Sequence, residues 1–331
     1  MVELYQAPRK DRFEVPIAQC DVMDKKKLEA YRAHWRRWMA WYEHSPQEPH
    51  SIEQQIHTML FNDLTYRSVV SARSSVPQET EISARTASLA YLLDTGYVTT
   101  QVLSVMRLLD PHRNVISVMR LLMDVRSNRE TITRENYVSG TGFPYKPAPP
   151  QSEAEDPSAE EAELGLSRTE RHDWIYSHDL HQTFDRLSGT SSQNRSRTDT
   201  IPDSVFKRLN AWLNTEPIRN LETLRNKFLA HAANAAERGE AKNQGVKFAQ
   251  LDEAQRAIIR VERAITDLVL SRRIARDVVP MAPLGQFAKL NLVYATKEAE
   301  EEMYRRWDEL TDERNHWRNG ILDELVAPSN G

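Results

Sequence analysis

The chain has 331 residues, 40% of them apolar, with 44 lysines and arginines against 48 aspartates and glutamates, a net charge of −4. That length supports one large core or two moderate ones, and the acidic balance excludes coating of nucleic acid by overall charge, so contact with RNA or DNA must come from a local patch. A lone cysteine, Cys20, excludes an internal disulfide framework and a cysteine-rich zinc site.

No apolar run approaches the ~20 residues of a bilayer span, and the start of the chain, with Glu3, Arg9, Lys10 and Asp11, lacks a signal-peptide core. A cytoplasmic protein with no membrane partner is expected. Only 10 glycines and 16 prolines are present, and helix formers dominate. The predicted fold class is all-α, with Leu290–Tyr294 the one short strand candidate.

From Asp24 to about Tyr42, Leu28, Tyr31, Trp35, Trp38 and Tyr42 recur at helical steps, flanked by Arg32, Arg36 and Arg37. Aromatics and arginines together can hold nucleic acid, but an amphipathic helix with its aromatic face on the core is the simpler reading. A second helix is expected over Ser51–Ser71. A third runs from Glu81 to Leu109, bent near Gly96, with Leu89, Leu92, Leu93, Val102, Val105 and Leu109 inward. Asp110-Pro111 ends it, and a fourth follows from Asn114 to Arg129. The sequence nearly repeats here, VLSVMRLL at Val102–Leu109 and VISVMRLL at Val115–Leu122, as two buried helices of one hairpin would.

Composition then changes. A Pro- and acid-rich stretch over Gly140–Gly165 and a polar stretch over Ser188–Thr200 read as mobile linkers, bracketing a helix at about Arg168–Leu187. The expected organisation is thus helices in 1–139, linkers around one helix in 140–200, and helices again in 201–331. Pro202 opens a segment to Leu213. Thr215-Glu216-Pro217 starts a helix to about Arg238, with Ile218, Leu221, Leu224, Phe228, Ala232 and Ala235 inward. Leu251–Ala275 carries Leu251, Ala254, Ile258, Val261, Ile265 and Leu268 at heptad spacing, a seam for the preceding helix or a second copy. A last charged helix spans Lys297–Leu325.

The segment Leu224–His231 concentrates chemistry: Arg225, Asn226, Lys227 and His231 lie within two turns of an otherwise apolar helix. An imidazole can take and return a proton near neutral pH, and a guanidinium can clamp a phosphate and stabilise a pentacovalent transition state. Together they suffice to cut RNA through its 2′-hydroxyl without a metal, a route closed to DNA. On an ideal helix Arg225 and His231 stand about 120° apart, so a site completed by a second protomer is equally plausible. The alternative is an ordinary salt bridge and a packing contact.

The pattern Arg-Asn, four residues, His, here RNKFLAH, resembles the signature of the HEPN superfamily of helical ribonucleases and nucleotide-binding proteins. With the upstream hairpin MRLLDPHRNVISVMRLL it is similar to the branch found in abortive-infection phage-resistance proteins. Arg107, Leu108, Leu109 and Asp110 match that branch's first segment, and Ser117–Leu122 the helix after it. The resemblance covers roughly Ile52–Arg129 and Leu221–Leu270. It implies an antiparallel helical bundle, usually homodimeric, with Arg225 and His231 of both protomers lining one cleft and Asn226 positioning them; other members are binding modules without activity. The long insertion and the N- and C-terminal helices lie outside it.

The expected function is therefore a metal-independent endoribonuclease in phage defence or a toxin–antitoxin-like system, or else a non-catalytic interaction or nucleotide-binding module using the same cleft. Arg225, His231 and Asn226 are the candidate catalytic residues, and Lys227, Arg107 and His112 the candidate substrate-binding ones. RNA, a second copy of the chain and an antitoxin or other regulatory protein are the expected partners. His178, His181 and Asp185 share a helix face and could ligate a metal, but a solvated polar face explains them equally well, and no metal or other cofactor is expected.

Overall fold

The computed structural model describes residues 12–43, 45, 50–75, 81–146, 168–229, 245–272, 277–279, 285–287 and 297–327. Among them the fold is helical, with no β-strand and one isolated antiparallel bridge, Thr133 with Thr200. The strand candidate Leu290–Tyr294 lies outside the described residues. The helices are α1 (Lys25–Tyr42), α2 (Ile52–Ser75), α3 (Glu81–Leu108), α4 (Val118–Ser127), α5 (Arg134–Ser139), α6 (Arg168–Ser188), α7 (Asp203–Trp212), α8 (Glu216–Leu224), α9 (Phe248–Arg263), α10 (Lys297–His316) and α11 (Ile321–Val326). Buried apolar residues from Phe13 to Leu325 form one cluster, so residues from all three sequence segments share a core.

The Asp24 carboxylate caps α1 by accepting the Lys27 N–H at 2.9 Å. The aromatic stripe of α1 is core: Leu28, Tyr31, Trp35, Trp38 and Tyr42 are all buried. Trp35 Nε1 donates to the Leu270 carbonyl (3.0 Å), and Arg32, buried with them, donates to the Gly140 carbonyl at 3.0 and 2.7 Å.

α3 runs unbroken through Gly96. Its inward face begins lower than expected: Leu92 and Leu93 are 65% and 37% exposed, while Val102 and Val105 are buried; at its end Leu108 is buried in place of Leu109, which is half-exposed. A 28-residue helix is about 42 Å long, longer than the neighbours that cover it from Tyr97 onward. α4 starts at Val118 rather than Asn114, because the Ser117 hydroxyl accepts the Arg120 N–H (3.0 Å) and donates to the Asp110 carbonyl (2.5 Å). The two VxSVMRLL copies thus diverge: Ser104 lies inside α3, whereas its counterpart Ser117 is a cap.

α9 is the central post, packed against α3, α4, α7 and α8. Its heptad seam is covered within one chain, and the helix is buried on further faces through Gln255, Ile259 and Glu262. The heptad register fails at its end. Ala264–Val269 is a π turn, which holds an extra residue, so Val269 and Leu270 are buried while Leu268, the expected seam position, is half-exposed.

The stretch Ser188–Thr200 is not a mobile linker. Arg134, fully buried, donates to Asp199 (2.8 Å) and Asp185 (2.6 Å), Arg195 donates to Asp185 (2.6 Å), and the Arg134 and Glu135 N–H groups bond the Asp199 and Arg197 carbonyls. Charge-assisted bonds to helices α5 and α6 order this segment in place of apolar burial. The charged C-terminal helix divides into α10 and α11 at Gly320, whose φ of +70° favours glycine. α10 lies along α2, and buried Arg314 ties it to the core by meeting Asp63 at 2.7 Å and Asp252 at 3.1 Å. Arg67 bonds the same two carboxylates (3.0 and 2.6 Å), and the Tyr97 hydroxyl donates to Asp63 at 2.5 Å. Burial, and then the Asp63 carboxylate, push the Tyr97 phenol above its ordinary range.

Candidate active site

α8 begins where the sequence places it, with Thr215 as the residue before the first turn and Pro217 within that turn. Ile218 and Leu221 are buried and anchor it on the core. From Arg225 to Leu229 the regular α-helix gives way to a π turn. A π turn adds about one residue, or about 100°, to the winding. His231, with Ala230, Ala232 and Ala235, lies outside the described residues.

The π turn brings Arg225, Asn226 and Lys227 together, all half-buried. Arg225 donates from Nε to the Asn226 Oδ1 at 2.8 Å. This single bond orients the guanidinium, while among the described residues no group bonds its two terminal nitrogens. α3 packs against both α8 and the π turn, so the first helix of the sequence hairpin does meet the motif segment. Arg107, on the last turn of α3, and His112, in the turn beyond it, are exposed and make no bond to Arg225 or Asn226. His112 serves its own turn instead: its Nδ1 accepts the Asn114 N–H at 3.3 Å and its N–H reaches Asp110 at 2.8 Å.

The second constellation of the sequence is structural. Asp185 has its oxygens on Arg134 and Arg195, and these bonds outweigh burial, which alone would raise it, to hold the carboxyl below its usual range. The His181 Nε2 bonds the Tyr145 carbonyl at 2.7 Å, and burial keeps the imidazole below its ordinary pKa. His178 stacks on Trp174 at 5.0 Å and meets Gln182 at 2.8 Å. Among the described residues no group of three or more His, Cys, Asp or Glu is arranged to hold a metal ion.

An open cleft of about 280 Å³ between α6, α7 and α11 is lined in part by Arg186 and Arg208. Both are engaged, Arg186 with Asp323 and Arg208 with the Glu324 and Leu325 carbonyls, and no motif residue lines it. The π turns are what sequence reasoning missed. In α9 a signal exists: Ile258, Glu262, Thr266 and Leu270 are buried at steps of four, which drift by about 40° each on a regular helix and stay in line only on a wider one. At Arg225 no comparable signal is present. No protein-family model matches the chain, and no curated protein or solved structure matches it.

Proposed function

We propose that this protein is a HEPN-type, metal-independent endoribonuclease, built on a helical bundle with added terminal helices, working as a cytoplasmic homodimer. Phage defence or a toxin–antitoxin-like system is the setting, with RNA as substrate and an antitoxin or other regulatory protein as partner. The observation that supports the reading is the condition of Arg225: oriented through Nε by Asn226, half-buried, and with its terminal nitrogens unclaimed by any described residue. An arginine kept for architecture in this fold looks different, as Arg134 and Arg314 show.

In this scheme His231 takes the proton of the 2′-hydroxyl, the oxygen attacks the adjacent phosphorus, and a 2′,3′-cyclic phosphate forms. The imidazolium returns the proton to the departing 5′-oxygen. Arg225 holds the phosphate and the charge that builds on it, with Lys227 adding electrostatic support. The test is incubation of the purified chain with RNA in the presence of a chelator. Fragments ending in cyclic phosphate and 5′-hydroxyl, lost in Arg225→Ala and His231→Ala with the helical signal retained, are the expected outcome. Cleavage that survives both substitutions, or that vanishes with chelator, defeats the proposal; RNA or nucleotide binding without cleavage selects the non-catalytic module.

A further inference from the structure

α1 and α4 pack together, and one aromatic of the α1 stripe escapes the core. Trp41, on the last turn of α1, is half-exposed, whereas Trp35 and Trp38 are buried. Guanidinium groups approach it from both helices: Arg37 lies 5.7 Å and Arg120 4.2 Å from the ring centroid. Arg120 Nη1 also donates to the Val115 carbonyl at 2.8 Å, which ties the turn between α3 and α4 to the same spot. Two residues up that turn, Arg113 is exposed and has no hydrogen bond or ion pair with the described protein; the same holds for Arg107. Among the described residues the acids here are engaged: Asp124 by Arg37 (2.5 Å) and Trp38 Nε1 (2.6 Å), and Asp110, which opens the turn, by the His112 N–H (2.8 Å).

On a chain of net charge −4, this is a local inversion of sign around a planar aromatic. We infer that the surface formed by Trp41, Arg37, Arg120 and the Arg113 turn docks a single-stranded segment of RNA, through residues other than those of the Arg225 turn; RNA as the strand rests on the ribonuclease reading. Indole and guanidinium planes stack on unpaired bases and do not discriminate among them. Arg113, whose side chain has no partner among the described residues, is left for phosphates. Duplex RNA, whose bases are already stacked on one another, offers nothing to the planar groups.

The test is fluorescence polarisation of a labelled single-stranded 12-nucleotide RNA, and of its duplex, with the full chain carrying Arg225→Ala so that the probe stays intact. The single strand is expected to bind more tightly than the duplex. Trp41→Ala is expected to weaken single-strand binding about tenfold, with Trp41→Phe retaining most of it. Arg113→Glu, at an exposed position that folding does not use, is expected to weaken it and to lower the slope of log affinity against log salt by about 0.7 per lost contact. Unchanged affinity in Arg113→Glu, duplex binding as tight as single-strand binding, or equal displacement by polyglutamate (the mark of a protein-docking face) overturns the inference. Failure of the wild-type chain to cleave RNA would sink the ribonuclease reading alone, since binding is read in protein that does not depend on cleavage.

Discussion

Arg314 on α10 and Arg225 at the end of α8 are the same group in opposite surroundings. Arg314 is fully buried, and its Nη2 meets Asp63 and Asp252. Arg225 is half-buried, and among the described residues its guanidinium bonds only the side chain of its sequence neighbour. A buried cation has to be matched by fixed carboxylates, and the matching locks together the helices that supply them. A cation left half in solvent with one edge oriented keeps its other donors for something outside the chain. Position in the fold, rather than residue type, separates architecture from a candidate site.

The strongest way to break that contrast is to remove each arginine in turn. Arg314→Met leaves Asp63 buried beside Arg67 alone and is expected to cost about 3–5 kcal/mol of stability, read by urea unfolding. Arg225→Met is expected to change stability by less than about 1 kcal/mol while lowering RNA cleavage by about 10²–10³-fold. The reverse pattern, a harmless Arg314→Met or a destabilised Arg225→Met, would mean that the two roles have been misassigned. Asn226→Ala sharpens the picture at a smaller scale. It removes one neutral acceptor, about 0.5–1.5 kcal/mol of orientation, so cleavage should fall by several-fold and less than in Arg225→Met. Equal losses in both variants would make Asn226 a direct participant instead of a positioning residue.

A pH series probes the architectural side. His181 has its Nε2 on the Tyr145 carbonyl and its Nδ1 buried with no partner among the described residues, and burial depresses its pKa. The unfolded chain protonates first as pH falls through about 6.5. The contribution of His181 to stability is therefore present above that pH and is lost toward the lower folded pKa. His181→Leu is expected to flatten the fall in unfolding free energy between pH 7 and pH 5. An unaltered slope would show that the ring takes up a proton in the folded state without penalty.

The aromatic face of α1, the start of α8 and the burial of α9 were all legible in the sequence, because apolar residues at helical steps report a covered face directly. Three things were not. The ordering of Ser188–Thr200 depends on Arg134 and Asp185, distant in sequence and recognisable only once paired. The integration of α10 depends likewise on Asp63 and Asp252 meeting Arg314. The π turn at Arg225 changes how many residues fill a turn, which hydrophobic spacing reports only when enough buried positions follow, as they do in α9. For the candidate site, the sequence singled out the Arg225 segment but not its packing on α3, and Arg107 and His112 make no bond to Arg225 or Asn226 among the described residues.

The upper half of α3 gives the smallest expected effect. Leu92 stands sixteen residues before Leu108, about 160° around the helix, and is 65% exposed while Leu108 is fully buried. Truncation to alanine at Leu108 removes contacts on every side and is expected to cost about 2–5 kcal/mol. The same change at Leu92 removes a side chain already facing water and should stay within about 0.5 kcal/mol. Both are read from urea unfolding at two protein concentrations differing tenfold. If Leu92→Ala costs more than about 2 kcal/mol, and the wild-type midpoint rises with concentration, the leucine is covered in solution by a second chain. The face of α3 that carries Leu92 would then belong to an assembly, opposite the face that Leu108 gives to the monomer core.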